Sequence, residues 1–236
     1  MALAKTWRVF VNSSVAAGLL AVFCTAVVHQ SAFAQATTRS CSTDRNGDEQ
    51  AGPACLLSHT QLGDVAHDAV YWSLYTYPFE NAAQRDRVAG GTVIQAFGKI
   101  WLFTVGPLSS RPAHGVHVKD IGPIAVNKDA PYDAEFLRST FTPGMTAPVH
   151  VHSGPEAFYA ISGDTCLETP DGVQVGRGPG NSLIVRGGPP MLLMATGNDT
   201  RKGFALILHN PAHPPTTLVQ DWQPKGLCRP ADRLNE

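Results

Sequence analysis

Beyond its first 34 residues the chain has no second long apolar run, so nothing else in it is built to cross a bilayer as a helix. It is also poor in charge: Asp, Glu, Lys and Arg make up 16% of it, with 18 basic residues against 19 acidic ones. No basic stripe or patch stands out, which excludes a nucleic-acid partner held through phosphates. There is no Cys-x-x-Cys, so a cysteine-built zinc site is excluded. Gly-x-Ser-x-Gly, a phosphate loop and His-Glu-x-x-His are all absent, which removes the serine-hydrolase elbow, the nucleotide cradle and the zincin site. The stretch Asp44–Asp48 does not have the glycine and the distant glutamate at the places a calcium loop requires. No internal repeat is visible.

What is present begins with a targeting segment. Lys5 and Arg8 precede an apolar run from Val15 to Val28, and Ser31-Ala32-Phe33-Ala34 sets small residues at the −3 and −1 positions of a cleavage site. Residues 1–34 therefore read as a secretory signal peptide cut after Ala34, which places the mature chain in a periplasm or outside the cell, with no membrane partner after cleavage. Cys24 leaves with it. Losing Lys5 and Arg8 leaves 16 basic residues against 19 acidic ones, a net charge of −3.

Four cysteines remain, Cys41, Cys55, Cys166 and Cys228. An even number in an oxidising compartment points to two disulfides. Of the three pairings that can be drawn, the sequence favours Cys41–Cys55, close along the chain around a polar loop, which leaves Cys166–Cys228 to pin the C-terminal tail to a strand. The 22 glycines and 18 prolines punctuate many short apolar runs, the pattern of an all-β fold with frequent turns. Residues 35–66 read as an irregular N-terminal arm. Residues 67–130 read as a β-rich extension with a strand over 70–79, a short helix over 80–89, a hairpin around Gly98 and a further strand over 116–126. Residues 131–215 carry strand and turn in regular succession, including a strand over 147–152, and residues 216–236 form a tail.

The chemistry concentrates in "GMTAPVHVHSGPEAFYAISG", residues 144–163. Alternate residues of a strand share a face, so His150 and His152 project together. The Ser153-Gly154-Pro155 turn returns the chain, and Glu156 starts the next strand beside them. Two imidazoles and a carboxylate on one side suit a divalent transition metal, Fe, Mn, Zn, Ni or Cu, and leave positions open for water or substrate. Gly144, His150, His152, Glu156 and Gly163 match the first motif of the cupin superfamily at every spacing, and the segment resembles that motif. The resemblance implies a cupin jelly-roll barrel over 131–215, with the strand and helix extension ahead of it. The second cupin motif is degenerate. Gly180 and Gly188 fit, but Arg186 replaces a proline, Ala195 an asparagine, and Met191 the histidine expected as fourth ligand. Met191 reads first as a packing residue beside a three-ligand site. It reads second as a thioether ligand for a softer metal such as copper, and third as the mark of a site that has lost its metal and kept a pocket.

Alternation places Phe158 with Glu156, and Leu193 with Met191, as walls of a mostly apolar pocket. Phe136, Ser139 and Phe141 have no assignable facing, and Trp72, Trp101 and Phe103 read as packing. His209, ending the run "FALILH", is a candidate substitute ligand or proton carrier. His114 and His117 read as surface residues, and His59, His67 and His213 carry no spacing signal. The resemblance implies a metal-dependent enzyme acting on a small organic substrate, of oxygenase, isomerase or lyase type. The competing readings are a sugar- or acid-binding module without turnover and a structural protein with a relict site. Cupins often pair through their sheets, so the resemblance allows a homodimer, with residues 70–126 covering an edge.

Overall fold

A computed structural model describes residues 40–41 and 52–230. The expected signal peptide, its cleavage site and the acidic loop around Asp44–Asp48 lie outside the described residues. Fourteen strands follow one another: β1 (Gly52–Asp64), β2 (Ala69–Tyr77), β3 (Gly91–Ala96), β4 (Lys99–Gly106), β5 (Val116–Ala125), β6 (Pro131–Phe141), β7 (His150–Val151), β8 (Glu156–Ser162), β9 (Asp164–Thr169), β10 (Gly172–Gly176), β11 (Ser182–Val185), β12 (Leu192–Thr196), β13 (Arg201–His209) and β14 (Thr217–Leu218). One α-helix, α1 (Glu80–Arg85), interrupts them.

The strands form three layers. A five-stranded antiparallel sheet runs β1-β6-β13-β8-β11. Facing it lie the sheet β10-β9-β12 and the pair β14-β7, joined by the bridges Thr146–Met194 and His150–Met191. Between them pack Leu137, Phe141, Phe158, Ala205 and Ile207 from the first layer and Leu167, Met191, Leu193 and Ala195 from the second. The result is an antiparallel jelly-roll barrel.

The third layer is the sheet β3-β4-β2-β5. It covers the outer face of the five-stranded sheet rather than an edge. Trp72, Trp101 and Phe103 meet Phe136, Tyr159 and Phe204 there, with ring centroids 4.9–6.4 Å apart. Trp72, Phe103, Phe136 and Phe204 are fully buried, and each such side chain contributes about 1.5–3 kcal/mol through burial. Phe136 thus points out of the barrel, while Ser139 and Phe141 line its inside.

Three expectations need correction. Residues 52–64 of the supposed irregular arm form β1, the edge strand paired with β6. Its ladder carries three register shifts, and such bulges erase the period-two pattern by which a strand is recognised. The helix expected over 80–89 stops at Arg85, because the next carboxylate, Asp86, is taken by the Tyr77 hydroxyl and the His114 backbone N–H. The strand expected over 147–152 is reduced to His150–Val151, since Pro148 has no N–H for a ladder. Both disulfides, Cys41–Cys55 and Cys166–Cys228, are formed.

Candidate metal centre

The first-motif segment crosses the barrel as its spacing requires. Gly144 takes φ 81° and Gly163 φ 71°, both left-handed. At Gly163 a Cβ would come within 2.7 Å of the Arg201 Cα, so only glycine fits. At Gly154, in the turn between His152 and Glu156, a Cβ would stand 2.2 Å from the Leu208 carbonyl oxygen. That close approach lets the chain reverse tightly enough to bring Glu156 back beside the histidines.

His150, His152 and Glu156 are 8%, 5% and 4% exposed. Each offers a ligand atom within 4.8 Å of the others', and the two imidazoles are 4.7 Å apart between centroids. Their second nitrogens are fixed from behind. His150 Nδ1 donates to the Pro148 carbonyl at 2.6 Å, and His152 Nδ1 to the Pro215 carbonyl at 2.5 Å. In the neutral rings this leaves both Nε2 lone pairs free, the arrangement in which histidine binds metal. His152 Nε2 lies 3.0 Å from Glu156 Oε2, yet the two are not aligned as a hydrogen bond, and neither has another partner among the described residues. Two buried, electron-rich atoms facing one another call for a cation between them. Burial works against charge on His152, but the Glu156 carboxylate and then the Pro215 carbonyl outweigh it and raise its pKa. Burial, and then the neighbouring His152, lower that of His150.

The triad forms the polar end of a cavity of about 200 Å³. That is about six or seven water volumes, room for a small organic molecule. Phe158, Met191 and Leu193 line it, with Leu137, Phe141 and Ile207 beyond. Met191 is 2% exposed and pairs directly across from His150 through both backbone bonds, so it stands on the ring of the site while packing in the barrel core. His209 lies outside the pocket lining, on β13 opposite Asp133. His114 and His117 pair at the surface with Asp86 and Asp120. Nothing in the spacing of residues 216–236 signals that the tail closes the pocket. Thr216 and Leu218 do so because β14 pairs with β7, and the same pairing brings the Pro215 carbonyl behind His152.

A buried His-x-His strand, a glutamate opening the neighbouring strand, and glycines at both ends of the segment, all inside a two-layer antiparallel barrel, decide the architecture. The fold is a two-layer antiparallel jelly-roll barrel. No protein-family model matches the sequence, and no curated protein matches it. Among solved structures, an oxalate oxidase in complex with the substrate analogue glycolate aligns at 19% identity over 36% of this chain and 46% of its own, with a TM-score of 0.32. A polyketide cyclase from Streptomyces resistomycificus aligns at 20% identity over 38% of this chain and 63% of its own, TM-score 0.31. A cupin-like protein from Thermotoga maritima aligns at 10% identity over 38% and 77%, TM-score 0.33. The chain thus spans less than half the length of that oxalate oxidase.

Proposed function

We propose that the protein is an exported, metal-dependent cupin that binds a small organic molecule in its barrel, with His150, His152 and Glu156 as ligands of a divalent transition metal. The observation that carries this reading is the facing pair of buried, unpartnered atoms, His152 Nε2 and Glu156 Oε2. Carbonyls hold both imidazoles in the tautomer that a metal needs. Met191 serves as packing at the position of the expected fourth ligand, which leaves coordination open towards the cavity. Fe, Mn, Zn, Ni and Cu all accept this donor set. A bound metal would supply Lewis acidity to polarise an oxygen-bearing substrate, or a site for oxygen chemistry. The chain's own part is to orient the molecule against apolar walls and keep bulk water out. Oxygenase, isomerase and lyase reactions all fit such a site, and the scaffold does not choose among them.

A second reading is binding without turnover. The cavity lining offers no titratable side chain besides the triad, so any proton transfer would fall to a ligand or to the substrate itself. Export is supported by the two disulfides, which belong to oxidising compartments, and no helix among the described residues is long and apolar enough to cross a membrane.

The test is elemental analysis of protein purified without chelator, beside the His150→Ala/His152→Ala double variant. Loss of about one equivalent of transition metal in the variant is the expected result. Equal metal content in both, with the fold intact, would overturn the metal reading and leave the binding module.

A further inference from the structure

We propose that His59, Asp133 and His209 form a second metal site, for a zinc-type divalent cation, on the inner face of the five-stranded sheet. It is distinct from the triad in every residue. Each of the three side chains offers a ligand atom within 4.8 Å of the others'. His59 Nε2 lies 3.2 Å from Asp133 Oδ2, and the rings of His59 and His209 are 6.4 Å apart between centroids.

Three strands converge to make it. Asp133 on β6 and His209 on β13 are direct cross-strand partners, so their side chains share a face. His59 reaches that face through a bulge. Leu56 pairs with Leu137, but Ser58 pairs with Phe136 and His59 with Glu135. Without the register shift between Leu56 and Ser58, Ser58 would sit opposite Glu135 and His59 would face away. Bulges beside sites commonly re-aim one side chain in this manner.

The independent sign of a ligand is His209. It is 4% exposed, and its Nδ1 lies 3.1 Å and 3.2 Å from the carbonyls of Asn210 and His213. Donation to them places the lone pair on Nε2, which is buried and has no partner among the described residues. Burying such an acceptor unmatched is unfavourable. A cation shared with Asp133 and His59 would satisfy it. The Glu135 carboxylate lies 3.8 Å from His59 Nδ1, on the side where a ligating histidine is usually steadied by a carboxylate. The His59 side chain is 41% exposed, which leaves a way in for the ion. Two imidazoles and one carboxylate prefer zinc-group and late first-row cations over calcium or magnesium. Bound there, the ion would clip the edge strand β1 to β6 and β13.

The experiment uses the mature chain carrying His150→Ala/His152→Ala, so that the triad does not contribute. This protein, stripped with chelator and dialysed, is titrated with Zn(II) by calorimetry, beside the same protein carrying His59→Ala. His59 is solvent-accessible, so its removal leaves the fold intact, which circular dichroism checks. Asp133→Asn provides the second variant. The expected result is about one equivalent bound in the parent, with affinity reduced at least about 100-fold by His59→Ala and by Asp133→Asn, and a zinc-dependent rise in melting temperature lost in both. A parent that binds no zinc, or an equivalent that His59→Ala leaves unchanged, would overturn the proposal. Neither outcome touches the triad, which is judged by comparing wild type with the His150→Ala/His152→Ala protein.

Discussion

His152 Nε2 and Glu156 Oε2 stand 3.0 Å apart inside the barrel without a hydrogen bond between them. Whatever cation lies there, proton or metal, is held by the charge of Glu156. Glu156→Gln keeps the shape and removes the charge. It should lower metal affinity by about 100-fold or more, beyond the 10–100-fold typical of losing an outer-shell partner, while leaving the melting temperature of the metal-free protein within a few degrees. In that variant burial is opposed only by the Pro215 carbonyl and the more distant Glu135 charge, so the titration of His152, followed by NMR, should move down.

The same pair sets opposite pH dependences for the metal-free and the metal-bound protein. The pKa of His152 is raised above its ordinary 6.5. Its ion pair therefore contributes stability that is fully present below about pH 6.5 and is lost as pH rises through the folded value. Metal must displace that proton, so affinity should rise over the same interval and binding should release close to one proton. Zinc titrations in two buffers of different ionisation enthalpy measure the release. Affinity that is flat from pH 6 to 8 would contradict this account.

The tail is held by a carboxylate as well as a disulfide. Glu168 on β9, fully buried, accepts the backbone N–H groups of Lys225, Leu227 and Cys228, two residues from Cys166 and its bridge to Cys228. Glu168→Ala leaves those N–H groups unmatched and should cost about 1–3 kcal/mol. It should also expose the tail to proteolysis while the disulfide stays closed. Mass mapping of early cleavage sites reads this directly, and cleavage unchanged from wild type would contradict it.

How much of this was legible in the sequence follows from distance along the chain. The triad was legible because its geometry is local: His150 and His152 share a face by strand alternation, and one tight turn separates them from Glu156. The second nitrogen of each ring was not. His152 depends on Pro215 O, 63 residues away, and only the pairing of β14 with β7 brings it there. Apart from β7, which Pro148 cuts short of its expected span, the strands from β2 to β13 announced themselves by apolar runs between Gly and Pro turns. β1 did not, since its register shifts break that alternation, and His59 was hidden with it. Phe136, Ser139 and Phe141 had no assignable facing because β6 is covered on both sides, by the barrel core and by the third layer.

Acid should act first on the third layer. Burial alone would raise the pKa of Asp86, but the Tyr77 hydroxyl and the His114 ring and backbone N–H groups outweigh it and hold the pKa below the usual 3.8. Its contribution is present above about pH 3.8 and is lost as pH falls through the depressed value. Asp86→Asn should make the protein less stable at pH 7 and flatten its acid denaturation below about pH 4. Melting temperatures from pH 2.5 to 7 test this, and an acid limb as steep as in wild type would exclude Asp86 as its source.

Arg201 poses the last test. It is fully buried on β13, donates to Thr165 Oγ1 and Ser139 Oγ at 2.8 Å each, and lies about 6 Å from the ring centroids of Phe141 and Phe158. Among the described residues it makes no ion pair with a carboxylate and its Nη2 has no partner, and burial pushes its pKa down to about 10 in spite of the Glu156 charge. Such a cation costs desolvation that its two hydroxyl acceptors repay only in part. Arg201→Met keeps an apolar stem between the rings and removes that cost, so it should change stability by less than about 1.5 kcal/mol in either direction. Arg201→Lys keeps the charge but loses the planar fork that spans Thr165 and Ser139 and stacks on the aromatics. It should be the more destabilising of the two by about 2 kcal/mol, although it is the more conservative in charge. Urea denaturation of both variants gives the order, and a lysine variant as stable as the methionine one would mean that the guanidinium geometry contributes nothing at this position.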